Sequence, residues 1–241
     1  MAAAPLAHAR AAIADPRLIV ALDVPTVDEA RTLTERLGEA VSFYKIGLQL
    51  FATGGMALAT ELKGQGRQVF LDWKLHDIGA TVEKAAAAIA GAGCGDFLTV
   101  HAEPQVLAAA VRGRGASDLK VLGVTVMTSL SATDIAEIGY ALTVEALVER
   151  RIRQVIEAGA DGVVASPHEA ALARRIGGPD FLVVTPGVRP AGSGKDDQAR
   201  AATPAEALRH GATHLVCGRP ITAADDPHAA ALAVVEEMAG A

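Results

Sequence analysis

Aromatic side chains are scarce in this chain: Phe, Trp and Tyr together make up 3% of its 241 residues, with a single Trp. A core must therefore be built from aliphatic groups, which the 51% hydrophobic composition supplies. Cysteine is nearly absent. Cys94 and Cys217 lie beside apolar runs and far apart in sequence, which argues against a disulfide framework and for buried thiols in a reducing, cytoplasmic compartment. No stretch reaches the ~18 uninterrupted apolar residues of a membrane span. The Ala-rich start, Met1 to Ala14, is broken by Pro5, His8 and Arg10 and lacks the apolar core of a signal peptide. Basic charge is in deficit, with 22 Lys and Arg against 28 Asp and Glu for a net charge of −6. A nucleic-acid surface is therefore not expected, and an anionic ligand must be met by a local pocket. His-Glu-x-x-His and Cys-x-x-Cys are missing, and His76, His101, His168 and His214 lack metal-ligand spacing, so no metal is expected.

What is present is alternation. Short β-type runs occur at Leu18-Leu22, Phe43-Gly47, Val69-Trp73, Phe97-His101, Val121-Val126, Gly162-Ala165, Phe181-Thr185 and His214-Cys217. Between them lie segments with helical apolar spacing, such as Val27-Leu37, Met56-Leu62, Val82-Ala90, Val144-Glu157 and Ala205-Leu208. Gly93, Gly159 and Gly211 each follow a helical pattern and precede a strand, where a left-handed cap is needed. Eight such units in ~240 residues predict an α/β fold of the (β/α)8 barrel type, one domain over residues 1–241, with residues 1–16 as an extension or helix packed on the barrel. A dinucleotide-binding sheet would want Gly-x-Gly-x-x-Gly after the first strand, and Asp23-Val24-Pro25-Thr26 stands there instead.

In such a barrel, chemistry belongs at the C-terminal ends of strands and phosphate at the loops after strands seven and eight. The ionisable residues comply: Asp23 closes strand one, Lys45 lies in strand two, Asp72 and Lys74 close strand three on one face, and Asp77 follows on the loop. In isolation an Asp-x-Lys pair is most simply a surface salt bridge; at a barrel rim, with Lys45 and Asp23 on neighbouring strands, it reads as a site. Pro186, Gly187 and Arg189 lead into a Gly-rich polar loop, Ala191 to Gln198, that reads as a lid over an anion. After strand eight, Gly218 permits close backbone approach and Arg219 can grip a phosphate through two hydrogen bonds. Ser166 and Thr125 lack a His-Asp arrangement, and His101 beside Glu103 reads as a rim histidine that holds a loop.

These motifs, taken together and in order, resemble the orotidine 5′-phosphate decarboxylase family over almost the whole chain. The matching runs are Ala21-Leu22-Asp23, Tyr44-Lys45-Ile46-Gly47, Asp72-x-Lys74-x-x-Asp77-Ile78, Val124 to Ser129, Thr185 to Pro190 with Asp197-Gln198, and Gly218-Arg219-Pro220-Ile221. Gly79 stands where the family commonly has Pro, and leaves that loop less restricted. The resemblance implies cofactor-independent decarboxylation of a nucleotide, with Lys74 as proton donor within a network of Lys45, Asp72, Lys74 and Asp77. It implies a homodimer in which Asp77, with Ile78 and Thr81, reaches the neighbouring subunit's site. It further assigns the ribose to Asp23, the pyrimidine to Thr128 or Ser129, and the phosphate and its closing loop to Arg189, Gln198, Gly218 and Arg219, with Pro186 also at the substrate.

Two other readings stay open at this level. A Mg²⁺-dependent phosphosugar decarboxylase, such as 3-keto-L-gulonate 6-phosphate decarboxylase, shares the Asp-x-Lys-x-x-Asp pattern, although Lys45 would compete with a metal for the acids. A non-catalytic nucleotide-binding barrel would keep the phosphate grip, yet would gain nothing from burying the charged cluster.

Overall fold

The computed structural model describes residues 14–190 and 202–241. Eight parallel strands close into a barrel in strict chain order: β1 (Leu18–Ala21), β2 (Phe43–Gly47), β3 (Gln68–Leu75), β4 (Phe97–His101), β5 (Lys120–Val124), β6 (Gly162–Val164), β7 (Leu182–Thr185) and β8 (His214–Cys217). β8 pairs back onto β1, with Leu18 beside Leu215. The (β/α)8 expectation is met, and the helical patterns at 27–37 and 144–157 form helices with the anticipated bounds. Helices Pro104–Arg114, Ala132–Ile138, Ala170–Gly177 and Pro227–Ala239 were not singled out by periodicity. Among the described residues, no helix is long and apolar enough to cross a membrane.

Alternation of side chains sorts the strands into two apolar layers. Ile19, Ala21, Phe43, Phe70, Phe97, Leu122, Val184 and Val216 point inward and fill the barrel. Three of the five phenylalanines meet here: Phe43 and Phe97 lie edge-on with ring centroids 5.0 Å apart, and Phe70 and Phe97 at 5.9 Å. The residues between them point outward against the helices, in a second layer that includes Val20, Tyr44, Val69, Leu71, Leu98 and Val163. Filling the barrel floor with rings leaves the next inward positions toward the C-terminal end for polar groups: Lys45 above Phe43, Asp72 above Phe70 and Thr99 above Phe97. Gly93, Gly159 and Gly211 do adopt positive φ at the helix-to-strand turns.

Several strand ends differ from the sequence reading. β5 stops at Val124, so Thr125 to Ser129 form a loop rather than the end of a strand. β3 runs on to Leu75, but its pairing with β4 jumps from Leu71 opposite Leu98 to Leu75 opposite Val100. Asp72, Trp73 and Lys74 therefore bulge against Thr99 alone, and Lys74 takes a φ of 47°, the one positive value at a non-glycine among the described residues. Bulges of this kind re-aim side chains at barrel rims, and the strained residue here carries an ammonium. Both cysteines are buried free thiols.

Candidate active site

Four charged side chains, Asp23 from the loop after β1, Lys45 from β2, and Asp72 and Lys74 from β3, form a continuous chain across the barrel mouth. Lys45 Nζ donates to Asp23 Oδ1 at 2.9 Å and faces Asp72 Oδ2 at 3.4 Å, while Lys74 Nζ donates to Asp72 Oδ1 at 2.8 Å. Asp23 is the outer, solvent-facing end of this series, with a side chain 58% exposed against 14% for Asp72. Burial pushes the Asp72 carboxyl up, but the charges of Lys45 and Lys74 and hydrogen bonds from Lys74 and Thr99 outweigh it, holding the group below the usual carboxylate range. Asp72 is thus ionised where it is least hydrated. Each of its oxygens already faces an ammonium, so a divalent cation would have to displace a lysine to reach it.

Thr99 is the member that sequence reading missed. The bulge leaves the Lys74 backbone N–H without a ladder acceptor, and the fully buried Thr99 hydroxyl supplies one at 3.0 Å while donating to Asp72 Oδ1 at 3.0 Å. One side chain thereby fixes both the strained backbone of Lys74 and the orientation of its partner acid. The signal that could have found it is a polar residue at an inward position of an otherwise apolar run, Phe97-Leu98-Thr99-Val100. Gly47 is constrained for a related reason. A Cβ there would stand 2.9 Å from Asp23 Oδ1 and 3.3 Å from Lys45 Nζ.

Two cavities meet at this chain. One, of about 340 Å³, extends from Asp23, Lys45 and Asp72 to Pro186, Gly187, Arg189, Gly218 and Arg219. The other, of about 250 Å³, is walled mainly by apolar groups and runs from Lys45, Asp72 and Lys74 past Val124, Val126 and Met127 to both Thr128 and Ser129. Because β5 ends before them, strand alternation does not separate these last two residues. Arg189 is anchored at the base of its loop, donating its N–H to Ala202 O at 3.0 Å beside a Val188–Ala202 bridge. Its Nε is buried and lacks a hydrogen-bond partner among the described residues. Arg219 opens a one-turn helix, Arg219–Thr222, directly after Gly218.

Three further expected site residues, Asp77, Ile78 and Thr81, line neither cavity. Asp77 is exposed, with its carboxylate accepting from the N–H of Ile78 at 2.6 Å, and Ile78 and Thr81 are exposed as well. Gln198, with the lid segment from Ala191, lies outside the described residues. Gly79 opens helix Gly79–Ala92, the position at which the family's usual Pro would also fit. Among the described residues His101 makes no side-chain hydrogen bond to a loop, and its ring instead lies tilted against that of His76 with centroids 4.7 Å apart. Burial, together with the charges of His76, Arg151 and Lys74, holds the His101 imidazole below its ordinary range against the opposing pull of Glu103. Cys217 is pushed up to about 12 by burial and is not poised as a nucleophile.

The chain is similar to known proteins over most of its length. The family described as orotidine 5′-phosphate decarboxylase / HUMPS matches residues 16–234. The chain is 71% identical over 227 residues to a protein of Caulobacter sp. (strain K31) named orotidine 5′-phosphate decarboxylase, covering 94% of this chain and 99% of that one. A protein of the same name from Methylobacterium radiotolerans is 56% identical over 229 residues, with 94% and 99% covered. The crystal structure of orotidine 5′-phosphate decarboxylase from Lactobacillus acidophilus superimposes with a TM-score of 0.81 at 37% identity, covering 93% of this chain and 99% of that chain. With a barrel of the same shape, and a match that runs through every strand bearing the charged series, this chain belongs to the orotidine 5′-phosphate decarboxylase / HUMPS family.

Proposed function

We propose that this chain decarboxylates orotidine 5′-phosphate to UMP and CO2 without a metal or organic cofactor, as a homodimer. The observation that carries the reading is the position of the Asp23–Lys45–Asp72–Lys74 series at the junction of a polar, arginine-ended cavity and an apolar one. A nucleotide laid across that junction has its phosphate at Arg189, Gly218 and Arg219, its ribose hydroxyls at Asp23 and its planar base between Val124, Val126 and the Thr128–Ser129 loop. The reacting carbon then falls beside Lys74 and Asp72.

The chemistry demands such a cluster. Loss of CO2 from C6 leaves an electron pair in the plane of the ring, where it cannot delocalise into the π system. The barrier is correspondingly high, and enzymatic lowering of barriers by roughly 8–23 kcal/mol cannot rest on one hydrogen bond. The Lys74 ammonium, fixed by Asp72 at 2.8 Å, stabilises negative charge as it develops and then delivers its proton to that carbon. Asp72, ionised and poorly hydrated, faces the substrate carboxylate and disfavours the ground state relative to the transition state, in which that charge is leaving as CO2. Phosphate binding at the far end offsets the cost of holding these charges together.

Asp77 completes the network from the neighbouring subunit, with Ile78 and Thr81 crossing beside it. Exposure of all three in a single chain supports this assignment, and so does the large apolar side chain of Ile78, which is 69% exposed.

The test is the fall in orotidine 5′-phosphate absorbance in the presence of EDTA. Undiminished turnover is the expected result, with Lys74→Ala losing at least a thousandfold in kcat while still binding UMP. Turnover that stops with chelator would favour the Mg²⁺ chemistry, and UMP binding without turnover would leave a nucleotide-binding barrel.

A further inference from the structure

One buried arginine holds both ends of the segment that forms the base side of the site. Chain leaves β5 at Thr125, passes Met127, Thr128 and Ser129 along the apolar cavity, and forms helix Ala132–Ile138 behind a Ser131–Asp134 capping box. It turns back at Gly139, whose φ of 103° closes the helix, and reaches Tyr140. Arg151, on helix Val144–Glu157, donates from Nη1 to the carbonyl of Thr125, and from Nη2 to Tyr140 Oη at 2.7 Å and to Glu103 Oε1 at 3.1 Å. Its guanidinium also lies 5.2 Å from the centre of the Tyr140 ring.

The position is unusual for a charge. Arg151 is 9% exposed and belongs to a buried helical stripe whose other members are Leu147, Val148, Ile152 and Val155. An aliphatic residue would fill such a place at lower desolvation cost, since burying a charge is repaid only by a well-satisfied pairing. Glu103 balances the charge, while two further N–H groups go to a backbone carbonyl at the start of the segment and a phenol at its end. Arg151 lines neither of the cavities that meet at Asp72.

We propose that Arg151 is a positioning residue for pyrimidine recognition: by tying Thr125 to Tyr140 it sets the distance of the Thr128–Ser129 wall from Asp72 and Lys74. The inference rests on the function proposed above. It acts on the base and not on the phosphate, whose arginines stand on β7 and β8 loops at the other cavity.

That difference makes the test. Arg151→Met keeps the bulk of the side chain and removes the fork of donors. Titration of the folded variant with UMP gives a dissociation constant raised roughly tenfold, the scale of one lost buried hydrogen bond, while ribose 5-phosphate, which has no base, changes by less than about twofold. A general loosening of the fold would weaken both ligands together or merely lower the active fraction, and an unchanged ratio of the two constants overturns the inference. Where Arg151→Met does not fold, Tyr140→Phe decides: it removes one anchor and keeps the ring, and is expected to shift the UMP to ribose 5-phosphate ratio about twofold to threefold in the same direction. An unshifted ratio there overturns the inference as well. Wild-type turnover of orotidine 5′-phosphate is measured alongside, because its absence refutes the proposed function and this inference with it, whereas turnover with an unchanged ratio refutes the inference alone.

Discussion

Replacing Thr99 by Val keeps the shape of a fully buried side chain and deletes one hydroxyl that serves two masters. The Lys74 N–H, left by the bulge without a ladder partner, loses its acceptor at 3.0 Å, and Asp72 loses a donor at 3.0 Å. A hydrogen bond to a charged group contributes about 1.5–3 kcal/mol, and an abandoned N–H costs about 1–3 kcal/mol. Because the two losses share one site they do not add fully, and about 3 kcal/mol is expected. For a chain of this size that lowers Tm by roughly 6–12 °C. Activity falls as well, because Asp72 loses one of the contacts that favours its ionised form and fixes its direction. A roughly tenfold drop in kcat with KM little changed corresponds to about 1.4 kcal/mol at the transition state. Calorimetry and steady-state turnover of Thr99→Val beside Thr99→Ser separate the hydroxyl from the methyl, and serine is expected to recover most of both losses. Stability within about 0.5 kcal/mol of wild type together with unchanged kcat would refute the reasoning, and the bulge would then be held by the β-ladder and packing alone.

Three further outcomes can be measured. Lys74→Ala and Asp77→Asn are each expected to be inactive, yet mixed dimers should recover about a quarter of wild-type sites if Asp77 serves its neighbour, since only one site of each heterodimer is then intact; no recovery would mean that the acid acts within its own chain. Arg189→Ala should weaken ribose 5-phosphate binding by roughly 10-fold to 100-fold through loss of charge-assisted hydrogen bonds, and an unaltered titration curve would remove Arg189 from the phosphate site. His214, wedged edge-on between Phe43 and Phe97 at the barrel floor, is pushed down to about 4 by burial, with Asp15 pulling it up and Arg17 down. Its folded value lies below the ordinary 6.5, so the unfolded chain takes the proton first. The stability of the neutral ring is complete above pH 6.5 and is lost as pH falls toward 4, amounting to about 3 kcal/mol. Urea denaturation across that window should be visibly flatter for His214→Phe, and parallel curves would contradict the assignment.

The charged residues of the site were legible because parallel strands buried on both faces leave a strong apolar signal, and any Asp or Lys at the end of such a run stands out. Asp23, Lys45, Asp72 and Lys74 all declare themselves in this way, as do Arg189 and Arg219 after β7 and β8. Positive φ at Gly93, Gly159 and Gly211 was equally readable, because only glycine takes that conformation cheaply. Lys74 was not readable as a strained residue. Its φ of 47° follows from the offset between β3 and β4, a pairing between strands separated by a whole helix.

Local chemistry along the chain thus determined the barrel, the order of its strands and which acids and amines reach its mouth, since side-chain alternation and turn preference act over a few residues. Tertiary structure alone decided how those groups are held. The Thr99 hydroxyl beneath Asp72, the bulge that turns Lys74 inward and the grip of Arg151 on Thr125 and Tyr140 each join residues far apart in the chain. Such contacts are set by the register and closure of the barrel, and no pattern of neighbouring residues encodes them.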